Sequence, residues 1–300
     1  MNLSPVTRSY IELHIAVFFW GFSAILGDLI DLSWFMITWW RVVLATISLV
    51  GICVILKSNV NISKKSMLTY IVIGIIVALH WLTFFGSIKY ANASIALITY
   101  ATAAFMISLL EPLLLKTQVS RIEVLLGIII IIAMAFIVNE IDLSMRLGLL
   151  LGLVSAFLSA LFGVLNKKSV EDADPIVITM IEMLSAVVFL SILLPFWLTY
   201  TDDQFMPMGL DWLYLSVLAF GCTSFAFLIS IRTLKYISVF AQSVVMNIEP
   251  IYGIILAIII LGDNQDLTNG FYVGGAIIIC SVISYPYLKR KFIRNSEVSH

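Results

Sequence analysis

The sequence predicts an all-α polytopic membrane protein with ten transmembrane helices arranged as two inverted five-helix repeats. Three observations predict this fold. Ten apolar segments follow one another, and the loops between them alternate in basic charge. The two halves of the chain also share one order of spans and loops. Composition agrees, because 61% of the residues are hydrophobic and only 12% are charged, against about 25% charged in a soluble domain.

The apolar segments set the number of predicted spans. A helix needs about 20 mostly apolar residues to cross about 30 Å of hydrocarbon. In chain order the predicted spans are Ile11–Ile30, Trp34–Leu56, Met67–Ser87, Ala93–Leu115, Ile122–Asn139, Leu147–Asn166, Ile176–Leu198, Leu210–Ile231, Ile237–Leu261 and Gly270–Leu288. The loops that remain are short, so the sequence leaves no room for a soluble catalytic domain.

The basic residues of the loops predict the orientation. With the N-terminus in the cytoplasm, 14 Lys and Arg residues fall on the cytoplasmic side, whereas only Lys89 and Arg146 fall on the other side. An excess of basic residues marks cytoplasmic loops. We therefore expect a multi-pass protein of a bacterial inner membrane with both termini in the cytoplasm.

Self-comparison predicts a duplication. Ile88-Lys89-Tyr90 matches Leu234-Lys235-Tyr236 at the start of corresponding loops, and Ile37-Thr38 matches Ile178-Thr179 earlier in each half. This defines a first repeat at residues 1–144 and a second at 145–300, the latter ending in a short basic tail. An odd number of spans per repeat inserts the second copy upside down. Such inverted repeats are typical of secondary transporters, with the binding site near the midplane between them.

Three stretches carry a resemblance to the EamA-type transporters of the drug/metabolite transporter superfamily. Phe19-Trp20-Gly21-Phe22-Ser23 resembles the Trp-Gly motif of the first helix, and Trp40 to Ala45 resembles the Arg-x-x-x-Ala start of the second. Asn247-Ile248-Glu249-Pro250, followed by an apolar run to Gly262-Asp263, resembles the Glu-Pro segment and its Gly-acid ending. Asp263 stands where the family usually has Glu.

The resemblance implies a secondary transporter, an exporter, of small organic metabolites such as amino acids, working by alternating access. The alternative is a non-transporting membrane scaffold or an intramembrane enzyme. We expect no enzyme activity, since no nucleophile motif or P-loop is present, and no metal site or cofactor, since the histidines are too scattered. The expected partners are a small-molecule substrate and the lipid bilayer, with no nucleic acid and no obligate protein partner.

Polar residues at membrane depth are the first candidates for substrate binding, because burying them in lipid is costly unless they have a function. His80 lies near the centre of the third span. Glu249 lies in the ninth span with Gln242 and Asn247 as hydrogen-bonding companions, and Pro250 loosens the helix beside it. We expect Glu249 to bind and release a proton during the cycle. In each case the simpler alternative is a side chain that holds neighbouring helices together.

Four aromatic residues complete the predicted substrate site: Trp20, Trp81, Tyr100 and Tyr252. Glu111 is closer to the cytoplasmic end of its span, where Lys116 or Arg121 can reach it, so it is interpreted as a gate or structural ion pair. Arg41 is interpreted as snorkelling to the outer interface. Helices 1, 3, 4, 6, 8 and 9 are expected to line the cavity, and helices 5 and 10 to lie at the periphery.

Overall fold

The computed structural model describes residues 4–140, 142–246, 248–262 and 268–298, apart from a few side chains within these ranges. Every regular element in this part of the chain is helical. In chain order the α-helices are α1 Pro5–Leu29, α2 Trp34–Leu56, α3 Lys64–Tyr90, α4 Ala93–Tyr100, α5 Ala103–Leu115, α6 Arg121–Glu140, α7 Arg146–Ser169, α8 Pro175–Tyr200, α9 Asp211–Ser216, α10 Ala226–Thr233, α11 Val239–Met246, α12 Glu249–Ile260 and α13 Asn269–Val298. A 3₁₀ turn, Leu143–Met145, precedes α7, and a π-helical segment, Val217–Phe225, joins α9 to α10.

These elements occupy the ten segments predicted to cross the membrane. Within the described residues, seven helical segments are long and apolar enough to span a bilayer, and three shorter apolar helices lie in the fifth, ninth and tenth predicted spans. The chain is thus a multi-pass helical membrane protein, while the count of ten crossings stays a prediction. Its outer surface agrees, since large aliphatic side chains such as Val54 and Leu113 are more than 70% exposed.

The helices begin where small polar residues can accept hydrogen bonds from the first turn. Ser4, Ser33, Ser63 and Asn92 each accept a bond from a backbone N–H of the helix that follows. Such caps satisfy donors that have no partner within the helix. Asp142 does the same for the 3₁₀ turn, and hydrogen bonds from Ser144 lower the pKa of its carboxyl.

The two predicted repeats are packed into each other. From the first repeat, α3 packs on α7 and α8, α2 packs on α8 and the π-helical segment, and α1 packs on α10 and α12. By contrast, α6 packs mainly on α13 and lies to one side. Close approach of α3 to α8 depends on Gly74, where an added Cβ would lie 2.2 Å from the carbonyl oxygen of Glu182. The central space is therefore bordered by helices of both halves.

Two of the predicted spans are interrupted near their middle. A turn at Ala101 and Thr102 separates α4 from α5, and α12 begins at Glu249, after α11 has ended at Met246. At this turn the Thr99 carbonyl accepts both the Thr102 backbone N–H at 3.1 Å and the Thr102 hydroxyl at 2.6 Å. The sequence predicted loosening beside Pro250, whereas nothing in it predicted the break in the fourth span or the π-helical segment.

Candidate functional site

A cavity lies in the centre of the bundle, between the two predicted repeats. Space not filled by protein atoms amounts to about 820 Å³ there, its opening included. Its lining combines aromatic, small and charged side chains: Trp20, Ser23, Arg41, His80, Trp81, Phe84, Tyr100, Ala103, Ile107, Ser159, Phe162, Gly163, Phe227, Ser230, Val239, Gln242, Ser243, Met246 and Glu249.

The lining residues come from the helices that the sequence indicated, with one addition. Spans 1, 3, 4, 6, 8 and 9 all contribute, and no described residue of α6 or α13 does, which confirms the predicted division between central and peripheral helices. The addition is α2, which supplies Arg41. Both helix interruptions border the cavity as well, through Tyr100 and Ala103 at one break and Met246 and Glu249 at the other.

Arg41 is held inside the bundle. Its side chain is 2% exposed, its Nε donates to Thr223 Oγ1 at 2.6 Å, and its guanidinium carbon lies 4.1 Å from the centre of the Trp81 ring. The expectation that Arg41 snorkels to the interface is therefore wrong. A desolvated guanidinium over an indole is a favourable cation–π arrangement, and it brings a fixed positive charge to the cavity wall.

The π-helical segment supplies the hydrogen-bond acceptors for Arg41. Within it, the Thr223 hydroxyl donates to the Leu218 carbonyl at 2.8 Å, five residues back. The Cys222 carbonyl accepts from Trp20 Nε1 at 2.8 Å and from Arg41 Nη2 at 3.4 Å. Single π-helical turns within α-helices are frequent at functional sites. Here the wider turn places two acceptors, one hydroxyl and one carbonyl, against a side chain from the other repeat.

Glu249 supplies the opposite charge. It is the first residue of α12, is 4% exposed and lines the same cavity as Arg41. No ion pair within 4 Å joins these two side chains in the described structure. A carboxylate in the first turn of a helix is stabilised by the helix dipole. The cavity therefore carries one cationic and one acidic side chain that do not form an ion pair with each other.

His80 is fixed at one ring nitrogen. Its Nδ1 lies 3.0 Å from the Ser155 carbonyl oxygen and 2.9 Å from Ser155 Oγ on α7. The ring is surrounded by aromatic neighbours, with the centres of Phe162 and Tyr100 at 5.4 and 5.7 Å. His80 thus combines the two roles considered from the sequence, because it joins α3 to α7 and also borders the cavity.

The remaining polar atoms at the site are largely engaged with the protein. Gln242 Nε2 donates to Ser230 Oγ at 2.9 Å, which connects α11 to α10, and Tyr100 shares a hydrogen bond of 2.9 Å with Ser159. These side chains therefore connect neighbouring helices and also line the cavity. The fixed geometry agrees with a preformed site, in which such networks hold side chains in place before a ligand arrives.

Three predicted residues are not among the described residues that line the cavity. Asn247 is outside the described residues, and so is the side chain of Tyr252. Glu111 is not part of the cavity lining; its Oε2 accepts a hydrogen bond of 3.0 Å from the backbone N–H of Phe240, in the first turn of α11. That contact joins α5 to α11, and the role of Glu111 as a gate or ion pair stays a prediction.

Several lining residues were missed from the sequence. Arg41 had two signals, its charge at membrane depth and its place in the Arg-x-x-x-Ala stretch, and was still assigned to the interface. Phe162 and Phe227, whose ring centres lie 5.8 Å apart, had none. In a chain with 19 phenylalanines, nothing in the local pattern separates a cavity aromatic from a core one.

A helical bundle around a central cavity of mixed polarity is typical of membrane transporters, and comparison with known proteins specifies the family. The profile of the EamA-like transporter family matches residues 8–139 and again 146–285. The chain therefore belongs to the EamA-like transporter family. An uncharacterized transporter of Bacillus subtilis (strain 168), YyaM, is 24% identical over 263 residues, which is 82% of this chain and 86% of that protein.

A solved structure, described only as a crystal structure of a protein, has the same fold. It superimposes with a TM-score of 0.69 at 13% sequence identity, covering 95% of this chain and 99% of that one. The match supports the helical architecture and carries no information on substrate.

Proposed function

We propose that this protein is a secondary transporter that exports small organic metabolites across the inner membrane, with amino acids as the leading class. The observation that carries the proposal is the central cavity, in which Arg41 and Glu249 are separate and aromatic rings fill the space around them. A zwitterionic molecule would place its carboxylate at the guanidinium and its ammonium at the carboxylate. The rings of Trp81, Phe84 and Phe162 would then contact its apolar part.

Alternating access is supported by contacts between the predicted repeats at both ends of the bundle. Towards the predicted cytoplasmic side, Arg232 of α10 forms an ion pair of 2.7 Å with Glu12 of α1. Towards the predicted outer side, Asp211 Oδ1 accepts from the Asp31 backbone N–H at 3.0 Å. Each contact joins the two halves, so opening the cavity to one side would require breaking one set while the other holds.

The placement of His80 and Glu249 in one cavity favours a transporter over a scaffold. A scaffold would bury both in paired contacts. In contrast, the Glu249 carboxyl makes no hydrogen bond to a described residue, and His80 uses only one of its ring nitrogens. The polar groups that remain are available to a ligand.

Transport in liposomes tests the function. Purified protein would be reconstituted into vesicles loaded with an unlabelled amino acid, and entry of labelled amino acids, amines and carboxylates would be measured by counterflow. We expect exchange of zwitterions and none of molecules that lack either charge. Folded protein that exchanges no member of the panel, and is not thermally stabilised by any of them, would contradict the proposal.

Thiol labelling tests the orientation. A cysteine introduced at Asp202 should react with an impermeant reagent in intact cells, whereas one at Ser63 should react only after the cells are opened. Cys53 and Cys222 are buried whereas Cys280 is exposed, so both variants would be made on a Cys280→Ser background. Labelling of the Ser63 variant from outside would overturn both the cytoplasmic termini and the inverted repeat.

A further inference from the structure

A second acidic group is buried away from the cavity, in the second repeat. Glu182 lies on α8, is completely buried, and is not among the cavity-lining residues. Neither of its carboxylate oxygens has a hydrogen-bond partner in the described structure. A buried carboxylate without donors is costly in any protein interior and more so at membrane depth. The site therefore needs a further occupant that the amino acids alone do not supply.

Three hydroxyl donors of the surrounding helices are already engaged. One turn before and one turn after it on α8, the Thr179 and Ser185 hydroxyls donate to the carbonyls of Pro175 and Ile181 at 2.8 and 2.6 Å. On α3, the Tyr70 hydroxyl donates to the Ser169 carbonyl at 2.9 Å. No described cationic side chain lies within ion-pair distance of Glu182.

Helices α2, α3 and α10 pack on α8. From α3 the titratable neighbour of Glu182 is Tyr70, while Cys53 of α2 lies further along α8, with its Sγ 4.0 Å from the Ile176 carbonyl oxygen. From α10, Arg232 is paired with Glu12. None of these supplies a positive charge to the carboxyl.

The neighbour from α7 is Asn166, which is 1% exposed and lies beside the carboxyl. Its Oδ1 is also without a hydrogen-bond donor in the described structure. Three buried acceptor atoms, Oε1 and Oε2 of Glu182 and Oδ1 of Asn166, thus have no hydrogen-bond donor in the described structure. A carboxylic acid has one O–H donor, whereas a carboxylate has none. A proton on Glu182 would therefore supply one donor to this group of acceptors.

We propose that Glu182 and Asn166 form a proton-binding site, in which the Glu182 carboxyl carries a proton and donates it to Asn166 Oδ1. The site lies where α3 of the first repeat meets α7 and α8 of the second, with Gly74 allowing the close approach. Separation of α3 from α8 would admit water and let the acid ionise. On the proposed alternating-access function, this links proton release to opening of the repeats.

Infrared spectroscopy of the purified protein tests the site without any transported substrate, so its failure leaves the proposed function untouched. A protonated, buried carboxylic acid gives a carbonyl band that shifts in D₂O. We expect the wild type to show such a band at neutral pH, Glu182→Gln to lose it, and the matched variant Glu249→Gln to keep it. An unchanged band in Glu182→Gln overturns the proposal.

A second variant covers the case in which Glu182→Gln does not fold. Asn166→Ala removes the acceptor of the proposed hydrogen bond, so the carbonyl band should remain and move to higher frequency. A band that does not move overturns the donation to Asn166. Titration of the wild type with Na⁺ or K⁺ at fixed pH distinguishes the occupants: if either ion removes the band and raises the melting temperature, the site binds a metal cation and the proton assignment is wrong.

Discussion

Arg41 and Glu182 occupy equivalent places in the two predicted repeats. Arg41 borders the cavity, whereas Glu182 is buried away from it. Arg41 lies seven residues after α2 begins at Trp34, and Glu182 lies seven residues after α8 begins at Pro175. Each faces a helix of the other repeat. Arg41 donates to two acceptors on the π-helical segment and borders the cavity, whereas the Glu182 side chain is completely buried outside the cavity and its backbone carbonyl lies close to Gly74 of α3.

The difference between these two positions comes from the helix that each one packs against. A wide turn in the eighth span provides acceptors and leaves room for a charged side chain beside the cavity. A glycine in the third span instead brings two backbones together, which excludes both water and ligand. On the two proposals above, the same position would bind a substrate charge in one half and hold a proton in the other.

The largest effect is expected from Arg41→Met, which removes the charge on the cavity side of this comparison. Hydrogen bonds to a charged group contribute about 1.5–3 kcal/mol, so binding of a carboxylate-bearing substrate should weaken about 10- to 100-fold and transport should fall with it. The fold should tolerate the change, because replacing a buried ion by an apolar side chain of similar volume is often neutral.

The partner groups of Arg41 also stay satisfied in that variant. Thr223 still donates to Leu218, and the Cys222 carbonyl still accepts from Trp20. Counterflow in liposomes and melting temperature would be measured together, with Arg41→Lys as the variant that keeps the charge and loses the planar geometry. Normal transport by Arg41→Met would remove Arg41 from the substrate site.

A smaller effect is expected from Glu249→Gln, which keeps side-chain volume and removes titration. We expect near-normal abundance in the membrane, with transport reduced or no longer responsive to a pH gradient. The check is efflux measured between pH 6 and 8 in vesicles with and without an imposed gradient. If Glu249→Gln transports normally throughout this range, the proton role fails. If Glu249→Gln is depleted from the membrane and Glu249→Leu is no more depleted, Glu249 has a structural role instead.

Much of the fold could be predicted because its causes are local. Apolar length, capping residues such as Ser33 and Ser63, and loop charge are all read along the chain, and every predicted segment overlaps one or more of the helices. The interruptions were harder to predict. The turn at Ala101 and Thr102 depends on hydroxyls bonding to the backbone within a span, and such bonds compete with the helix only in a particular tertiary setting.

The site could be predicted in part for a related reason. His80 and Glu249 are rare residue types at membrane depth, so the sequence alone marks them. Arg41 was marked too, but its place depends on the π-helical segment, which is distant in sequence and was not predicted. Phe162 and Phe227 line the cavity because of how the two halves pack. The residues next to them in the sequence do not indicate this packing.

The smallest effect is expected from alanine at the close approach of α3 and α8, on the sealed side of the comparison. The Cβ of Gly74→Ala would lie 2.2 Å from the Glu182 carbonyl oxygen, a backbone atom that cannot rotate away. Overpacking of this kind costs about 1–3 kcal/mol, so the melting temperature should fall by a few degrees. Gly51→Ala on α2 is the matched control, because nothing lies within 4 Å of its Cβ.

The control should be neutral or slightly stabilising, since alanine is the better helix former by about 1 kcal/mol. Gly221→Ala in the π-helical segment should have an intermediate effect. Its Cβ would lie 3.0 Å from the Phe19 ring, and a side-chain ring can shift. We expect the order of destabilisation Gly74, then Gly221, then Gly51, measured by thermal unfolding in one detergent. A Gly74→Ala protein as stable as Gly51→Ala would mean that α3 and α8 can separate freely, and the contrast between a sealed and an open position would not hold.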